Sequence, residues 1–517
     1  MQKSHYDAIV IGAGLSGLTA AAFLAQGGAR VLVCEQGAQV GGLFNSFWRN
    51  GYQFDGGIKA VESSAVILPM LAQLGLLERI PLIDSPIALI TGGRIQPIHA
   101  IGDVDAYFHW LGELFPTQQS GLQQVLRDAR FVFEILDGML SFPIPFFDRP
   151  GWGNNARADW VRAHSALLPR LPRAAGMMRR ELRPYLEQHL SDGALVNLLS
   201  GLFPDGTSLF FGLGYFRMFL DYHYPRGGIQ VIPNQLAGAI EDWGGEICLN
   251  TRVERILLKD GQARGVRLSS GDELTAGHIV AACDLRHALT ALAPESELPR
   301  PFANRLNRAE VSHSVLNVFL GIDLPVERFN LQGCHHIFYS PDLQGITEAD
   351  RISRADYFAH VPQEISVPCL HDPALAPPGK TGLNLSAMTS WQYLGGWQRS
   401  PAEYAALKNE CARQMIVSLE QYVPGLSNHI EFCEVSTPRT IHTLTGNTQG
   451  AIMGWSYHRQ RTLPRGNFYQ MRSSVLTPIP RLLTAGHWSY SPGGSPVAVL
   501  TGKLAAENVL NSIQNAK

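Results

Sequence analysis

Excess charge of either sign, paired cysteines and long apolar runs are all scarce in this chain of 517 residues. Its 42 basic and 44 acidic residues leave a formal net charge of -2, which gives no long-range attraction for a polyanion and argues against nucleic acid as a partner. The seven cysteines (Cys34, Cys248, Cys283, Cys334, Cys369, Cys411 and Cys433) are odd in number, widely spaced and never in a Cys-x-x-Cys pair. Neither a disulfide frame nor a zinc site is expected, and a reducing compartment fits best. Among the 17 histidines there is no HExxH motif, catalytic triad or clustered ligand pattern. The neighbours His335 and His336 in "CHHIFY" would point to opposite faces of a strand, against a shared metal. No apolar run reaches the roughly 20 residues needed to cross a bilayer, since "SLFFGLGYFRMFLDY" carries Arg217 and Asp221. The start "MQKSHYDAIVIGAG" has no export-signal pattern. The expectation is a cytoplasmic protein that is soluble or rests on a membrane surface rather than spanning it.

What is present is apolar residue in quantity. At 45% hydrophobic and 17% charged, the chain can bury a large core and should divide into two or more domains. Near its start, "YDAIVIGAGLSGLTAAAFLAQGGARVLVCEQ" reads as a strand over 8–11, a GxGxxG turn, an Ala-rich helix and a second strand ending at Glu35. Gly12 permits the tight turn, Gly14 admits a pyrophosphate to the backbone, and Gly17 lets the helix lie close on the sheet. Leu15 and Ser16 open the helix, whose free N–H groups and dipole face the phosphates. Glu35 is placed to accept hydrogen bonds from a ribose diol, with Gln36 beside it. This is the chemistry of an adenine dinucleotide site.

A nicotinamide-binding unit would continue into another helix and strand. Here the chain enters "GAQVGGLFNSFWRNGYQFDGGI", an extended glycine-rich clamp in which Gly41 and Gly42, followed by Leu43, resemble the double-glycine motif by which FAD enzymes run backbone along the pyrophosphate and ribityl chain. FAD is therefore the expected cofactor. Farther on, "PRGGIQVIPNQLAGAIEDWGG" predicts a helix after Pro233, and residues 246–284 predict short alternating strands with turns at "KDGQ" and "SSGDE". Near the end, "GHWSYSPGGSP" is dense in glycine and proline yet lies between a strand-like "RLLTA" and a helix-like "VAVLTGKLAAENVL".

The opening, "GGLFNSF", "FDGG" and the closing loop together resemble the phytoene desaturase family, most closely its carotenoid isomerase and retinol saturase branch. The fold of that family is similar to those of amine oxidases and GDP dissociation inhibitors. The resemblance covers most of the chain, including "TPRTIHTLTGNTQGAIMGW", and is weakest over 61–224. It implies an α/β architecture with a Rossmann-type, amine-oxidase-like FAD-binding domain on a discontinuous mixed β-sheet, plus a helical substrate domain. Residues 1–62, 225–290 and 475–517 would form the first, and 63–224 and 291–474 the second. It also implies that the Val253 backbone holds the adenine and that the closing loop meets the flavin through Gly486, His487, Gly493, Gly494, Pro496 and Val497. Two departures stand out. His487 occupies a position where many relatives carry an acid, and Leu43 and Phe44 follow the double glycine where a basic residue is common.

The implied function is an FAD-dependent oxidoreductase that desaturates, saturates or isomerises a hydrophobic isoprenoid polyene by hydride chemistry. A flavin amine oxidase and a non-catalytic prenyl-lipid carrier are the alternatives. Glu35 and the closing loop argue against a carrier. Catalytic side chains, reaction direction and the electron partner (a quinone, oxygen or a reduced flavin source) are not written in these motifs. The stretches "FVFEILDGMLSFPIPFF" and "LFFGLGYFRMFL" could line an apolar tunnel. Arg162, Arg170, Arg173, Arg179, Arg180 and Arg183 are interleaved with Leu and Met, which suits contact with an anionic membrane surface.

Overall fold

The computed structural model describes residues 5–62, 65–140, 158–159, 162, 165–294, 297–341, 346–458, 460–463 and 468–515. Within the strand His5–Ile11, the stretch 8–11 is a continuous apolar run, as burial on both faces requires. It pairs in parallel with Val31–Cys34 on one side and Glu273–Ala281 on the other. Glu246–Cys248 extends the sheet beyond Val31–Cys34, and Leu482–Thr484 joins in parallel beside Glu273–Ala281. The meander Val253–Lys259, Gln262–Leu268 and Glu273–Ala281 is antiparallel. Its turns carry Asp260, Gly261 and Gly271 at positive φ, as the "KDGQ" and "SSGDE" signals require. The sheet is thus mixed and gathers strands from three separated parts of the chain.

The helix Leu15–Gln26 crosses from the first strand to the second and ends at Gly27 and Gly28, whose N–H groups close back onto Phe23 and Ala25. It packs against the last helix, Ser495–Asn515, at very short range. A Cβ on Gly502 would come within 2.5 Å of the Ser16 carbonyl oxygen. That contact brings the N-termini of two helices, at Leu15 and Ser495 and so 480 positions apart in sequence, to one side of the sheet. The helix expected after Pro233 spans Val231–Asp242. It begins two residues earlier because proline is tolerated in a first turn.

The remainder is built on a second seven-stranded sheet, in the order Ile430–Ser436, Ser314–Ile322, Thr381–Thr389, Gln363–Ser366, His336–Ser340, Ile87–Thr91 and Arg94–Ile98. Helices Ile101–Leu114, Gln119–Leu140, Leu182–His189, Gly193–Ser200 and Leu209–Met218 bury an aromatic core of their own around Tyr107, Phe108, Phe133 and Phe216. Although the sequence groups residues 46–62 with the dinucleotide-binding part, the hairpin Ser46–Arg49/Tyr52–Asp55 packs on the second sheet. The Phe54 ring lies 5.5 Å from that of Phe319. Val61–Glu62 pairs with Tyr222–Pro225 rather than with the first sheet. Among the described residues no helix is long and apolar enough to cross a membrane.

Candidate functional site

Between the two sheets lies one continuous cavity of about 1900 Å³. Typical small-molecule sites occupy about 300–1,000 Å³, so this one has room for a dinucleotide and a second long ligand together.

One wall is backbone. Gly12, Gly14, Leu15, Ser16, Glu35, Gln36, Gly41, Gly42 and Leu43 line it, with Val253 at one end. Gly14 caps the helix Leu15–Gln26 without any side-chain hydrogen bond, and no acidic residue occupies the first turn. The orphan N–H groups of that turn are therefore free to meet an anion. Gly41 N–H donates to the Ala13 carbonyl at 2.8 Å, which folds the double glycine against the GxGxxG turn. A Cβ on Gly42 would sit 3.1 Å from the Gly14 Cα. On Gly14 itself a Cβ would meet nothing closer than the Gly41 carbonyl oxygen at 4.0 Å, so the bare backbone there faces open cavity. Glu35 Oε2 accepts from Ala13 N–H and Oε1 from Gly37 N–H, each at 2.7 Å. Those two bonds fix the carboxylate and leave further acceptor capacity toward the cavity.

Gly17 alone among the sequence-derived candidates does not line the cavity. A Cβ there would fall 2.0 Å from the Gly12 carbonyl oxygen and 3.1 Å from the Ala282 side chain. Its work is helix-to-strand contact rather than contact with a ligand.

The closing segment reaches the same space from the opposite end of the chain. Gly486, His487, Gly493, Gly494, Pro496 and Val497 all line the cavity. Gly486 takes φ +105, and its N–H donates to Thr501 Oγ1 at 2.9 Å. Gly493 is pressed against the Met453 carbonyl, where a Cβ would lie at 2.3 Å. Burial pushes the His487 imidazole down to about 4, so it is neutral at physiological pH where an acid would be charged.

The opposite wall is apolar and aromatic, with Phe203, Phe211, Tyr215, Phe338 and Met388 among its residues. From "LFFGLGYFRMFL", only Phe211 and Tyr215 reach the cavity, while Phe210, Leu213 and Phe216 belong to the helical core. Ile135 represents "FVFEILDGMLSFPIPFF", whose portion from Ser141 onward lies outside the described residues.

Sequence reasoning missed a polar group on this wall. Lys59 Nζ is 3.3 Å from Glu364 Oε2, and His336 Nε2 is 2.8 Å from Glu364 Oε1. Burial opposes the Glu364 charge, but Lys59 and His336 outweigh it and hold the carboxyl down to about 2. His335 turns the other way, toward Ser85 Oγ at 3.1 Å and the ring of His371. Glu62 also lines the cavity. A charged residue inside the apolar run that follows "FDGG" was the available signal for Lys59 and Glu62.

The family model for flavin containing amine oxidoreductase matches residues 15–510. Prolycopene isomerase from Arabidopsis thaliana is 28% identical over 87% of this chain and 74% of its own length. Human all-trans-retinol 13,14-reductase is 25% identical over 98% of the chain and 85% of its own. A 4,4'-diapophytoene desaturase from a Methylomonas species is 26% identical over 90% of the chain and 89% of its own. Among solved structures, an oxidoreductase from Methanosarcina mazei superposes with a TM-score of 0.60 at 16% identity, covering 98% of this chain and all of that one. Putrescine oxidase bound to putrescine gives 0.60 at 15%, covering 98% and 99%. At such identities the structural likeness is one of fold.

Proposed function

Because this chain belongs to the flavin containing amine oxidoreductase family and is an FAD-dependent oxidoreductase, we propose that its substrate is a hydrophobic isoprenoid polyene, desaturated, saturated or isomerised inside the cavity described above. The observation that carries this reading is continuity. The glycine-rich wall and the aromatic wall bound one space, so a long apolar ligand can lie against a dinucleotide without crossing solvent. Relatives named for prolycopene, retinol and diapophytoene support it.

Gly12, Gly14 and the first turn at Leu15 and Ser16 would hold the pyrophosphate, Glu35 the adenosine ribose and the Val253 backbone the adenine. Gly41, Gly42 and Leu43 would run along the ribityl chain, with the closing loop from Gly486 to Val497 against the ring. Bound there, a flavin supplies or accepts a hydride at carbon. Neutral His487 leaves that end of the cavity without an added charge. Phe203, Phe211 and Phe338 bury the chain of the substrate and keep water away. We further assign 46–62 as the strap between the two parts, within the division into 1–62, 225–290 and 475–517 against 63–224 and 291–474.

An entrance on a lipid surface completes the proposal. Leu171, Ala174, Met178, Arg179 and Arg180 line the cavity, while Leu168, Leu171 and Met178 are each more than 40% exposed. Four of the six arginines singled out in the sequence have acidic partners, in the pairs Arg162–Asp159, Arg170–Glu134, Arg173–Asp128 and Arg183–Glu187. Apart from Arg173–Asp128, whose carboxylate is buried, these are exposed pairs of a kind that contributes only about 0–1 kcal/mol, so they do not prevent contact with anionic headgroups.

The test is product analysis. Holoenzyme incubated with lycopene isomers and retinol should change the number or geometry of double bonds in at least one of them. Turnover of amines with no change in any polyene would move the assignment to the amine oxidase alternative.

A further inference from the structure

Glu62 sits on the short strand Val61–Glu62, opposite Tyr222 on Tyr222–Pro225. The Tyr222 hydroxyl bonds to that of Tyr215, and the Tyr222 ring meets the His336 ring edge-on at 5.4 Å. All four side chains line the cavity on its aromatic side. Two atoms here, Glu62 Oε1 and His336 Nδ1, are buried without a hydrogen-bond partner among the described residues. A buried polar atom left unpaired is destabilising, and a wall meant only for hydrocarbon would gain by having neither. Burial, reinforced by the charge of Asp221, pushes the Glu62 carboxyl up to about 8. At neutral pH it is an uncharged acid that can both give and accept a hydrogen bond. The phenols facing it, Tyr215, Tyr222 and Tyr457, are raised by burial and stay protonated. Glu364 beyond them already pairs with the Lys59 ammonium and hydrogen-bonds His336 Nε2.

We propose that Glu62, flanked by Tyr222 and His336, is the receptor for a hydroxyl group at one end of the isoprenoid, so that the enzyme prefers a polyene alcohol to the matching hydrocarbon. This rests on the polyene reading. A hydroxyl donates a hydrogen bond to the Glu62 carboxyl and accepts one from it, satisfying the orphaned acid, whereas a methyl group in the same place leaves it unpaired.

The probes are all-trans-retinol and the hydrocarbon in which its terminal CH2OH is replaced by CH3, titrated against holoenzyme and followed by quenching of tryptophan fluorescence. The alcohol should bind about tenfold more tightly, the worth of one net hydrogen bond. Glu62→Leu should remove that preference by weakening the alcohol alone, and Glu62→Gln should retain most of it. If Glu62→Leu does not fold with flavin, the comparison of Glu62→Gln with Tyr222→Phe carries the test, with the second losing part of the preference. Equal binding of both probes to the wild-type enzyme, or a preference that survives Glu62→Leu, overturns the hydroxyl receptor while leaving the polyene reading intact. If neither probe binds, the polyene reading falls and the receptor with it.

Discussion

Single residues in this protein differ in whether their neighbours or an outside ligand explain them. Gly17 and Gly502 are required by atoms of the chain itself, since a Cβ would strike the backbone at 2.0 and 2.5 Å. Gly14 has no such neighbour, and its φ of -69 suits any residue. Gly14→Val should therefore fold with a melting point near that of the apoprotein yet purify without flavin. A variant that stays yellow at full occupancy would contradict the placement of the pyrophosphate. The buried carboxyls give a second prediction. Burial lifts Glu62 to about 8 and, against the hydrogen bonds of Ser46, Tyr224 and the Ile229 N–H, lifts Asp55 to about 6. Both lie above the usual carboxylate range of about 4, so each binds its proton more tightly in the folded chain. Their stabilisation is complete below about pH 4 and is lost as pH rises, through about 6 for Asp55 and about 8 for Glu62. Glu62→Gln should flatten the upper part of that decline in thermal midpoint measured across the same window. An unchanged slope would mean that Glu62 is ionised in the fold. Gly12, Gly14 and Glu35 could be read from the sequence because their partners lie within about one βαβ unit. Lys59 and Glu364 could not, because 305 positions separate the two members of the pair.

At the scale of elements, the contact between Leu15–Gln26 and Ser495–Asn515 decides whether two glycine-rich segments meet. Gly502→Val would force the helices apart at the Ser16 carbonyl. Overpacking of this kind costs about 1–3 kcal/mol, and the variant should lose both stability and flavin affinity, measured by melting and by flavin release. Loss of stability with unaltered flavin affinity would separate the helix contact from the site. The segment around Leu171–Met177 carries a further prediction. Leu168→Glu with Arg170→Glu, on the exposed side of this segment and away from the cavity lining, should reduce co-sedimentation with vesicles containing anionic lipid, while leaving turnover of detergent-dispersed substrate intact. Equal sedimentation would place the lipid contact elsewhere. The first strand, helix and second strand were legible because their hydrogen bonds are local and their glycine spacing has a mechanical meaning. The second sheet was not, since its order interleaves strands from 87–98, 314–389 and 430–436, and short apolar strands announce their existence but not their neighbours. That is also why "CHHIFY" could be read as two opposed histidines but not as a cavity wall.

At the scale of the molecule, two sheets enclose one cavity, and the hairpin Ser46–Arg49/Tyr52–Asp55 ties them together. Asp55 accepts from Ser46 Oγ at 2.6 Å and from Tyr224 OH at 2.8 Å, while its own carbonyl accepts from Asn384 Nδ2 at 2.9 Å. The strap therefore joins the glycine-rich clamp to the sheet that carries Glu364 and His336. With the placement proposed above, a ligand in the aromatic half and a flavin in the glycine-rich half would sense one another through a shared space. The most direct measurement is the visible absorbance spectrum of purified holoenzyme before and after anaerobic addition of an isoprenoid polyene. The account predicts an oxidised-flavin spectrum whose bands shift or bleach in a saturable manner as the polyene is added. A colourless protein that cannot be reconstituted with FAD, or a flavin spectrum unmoved by a polyene that demonstrably binds, would contradict it.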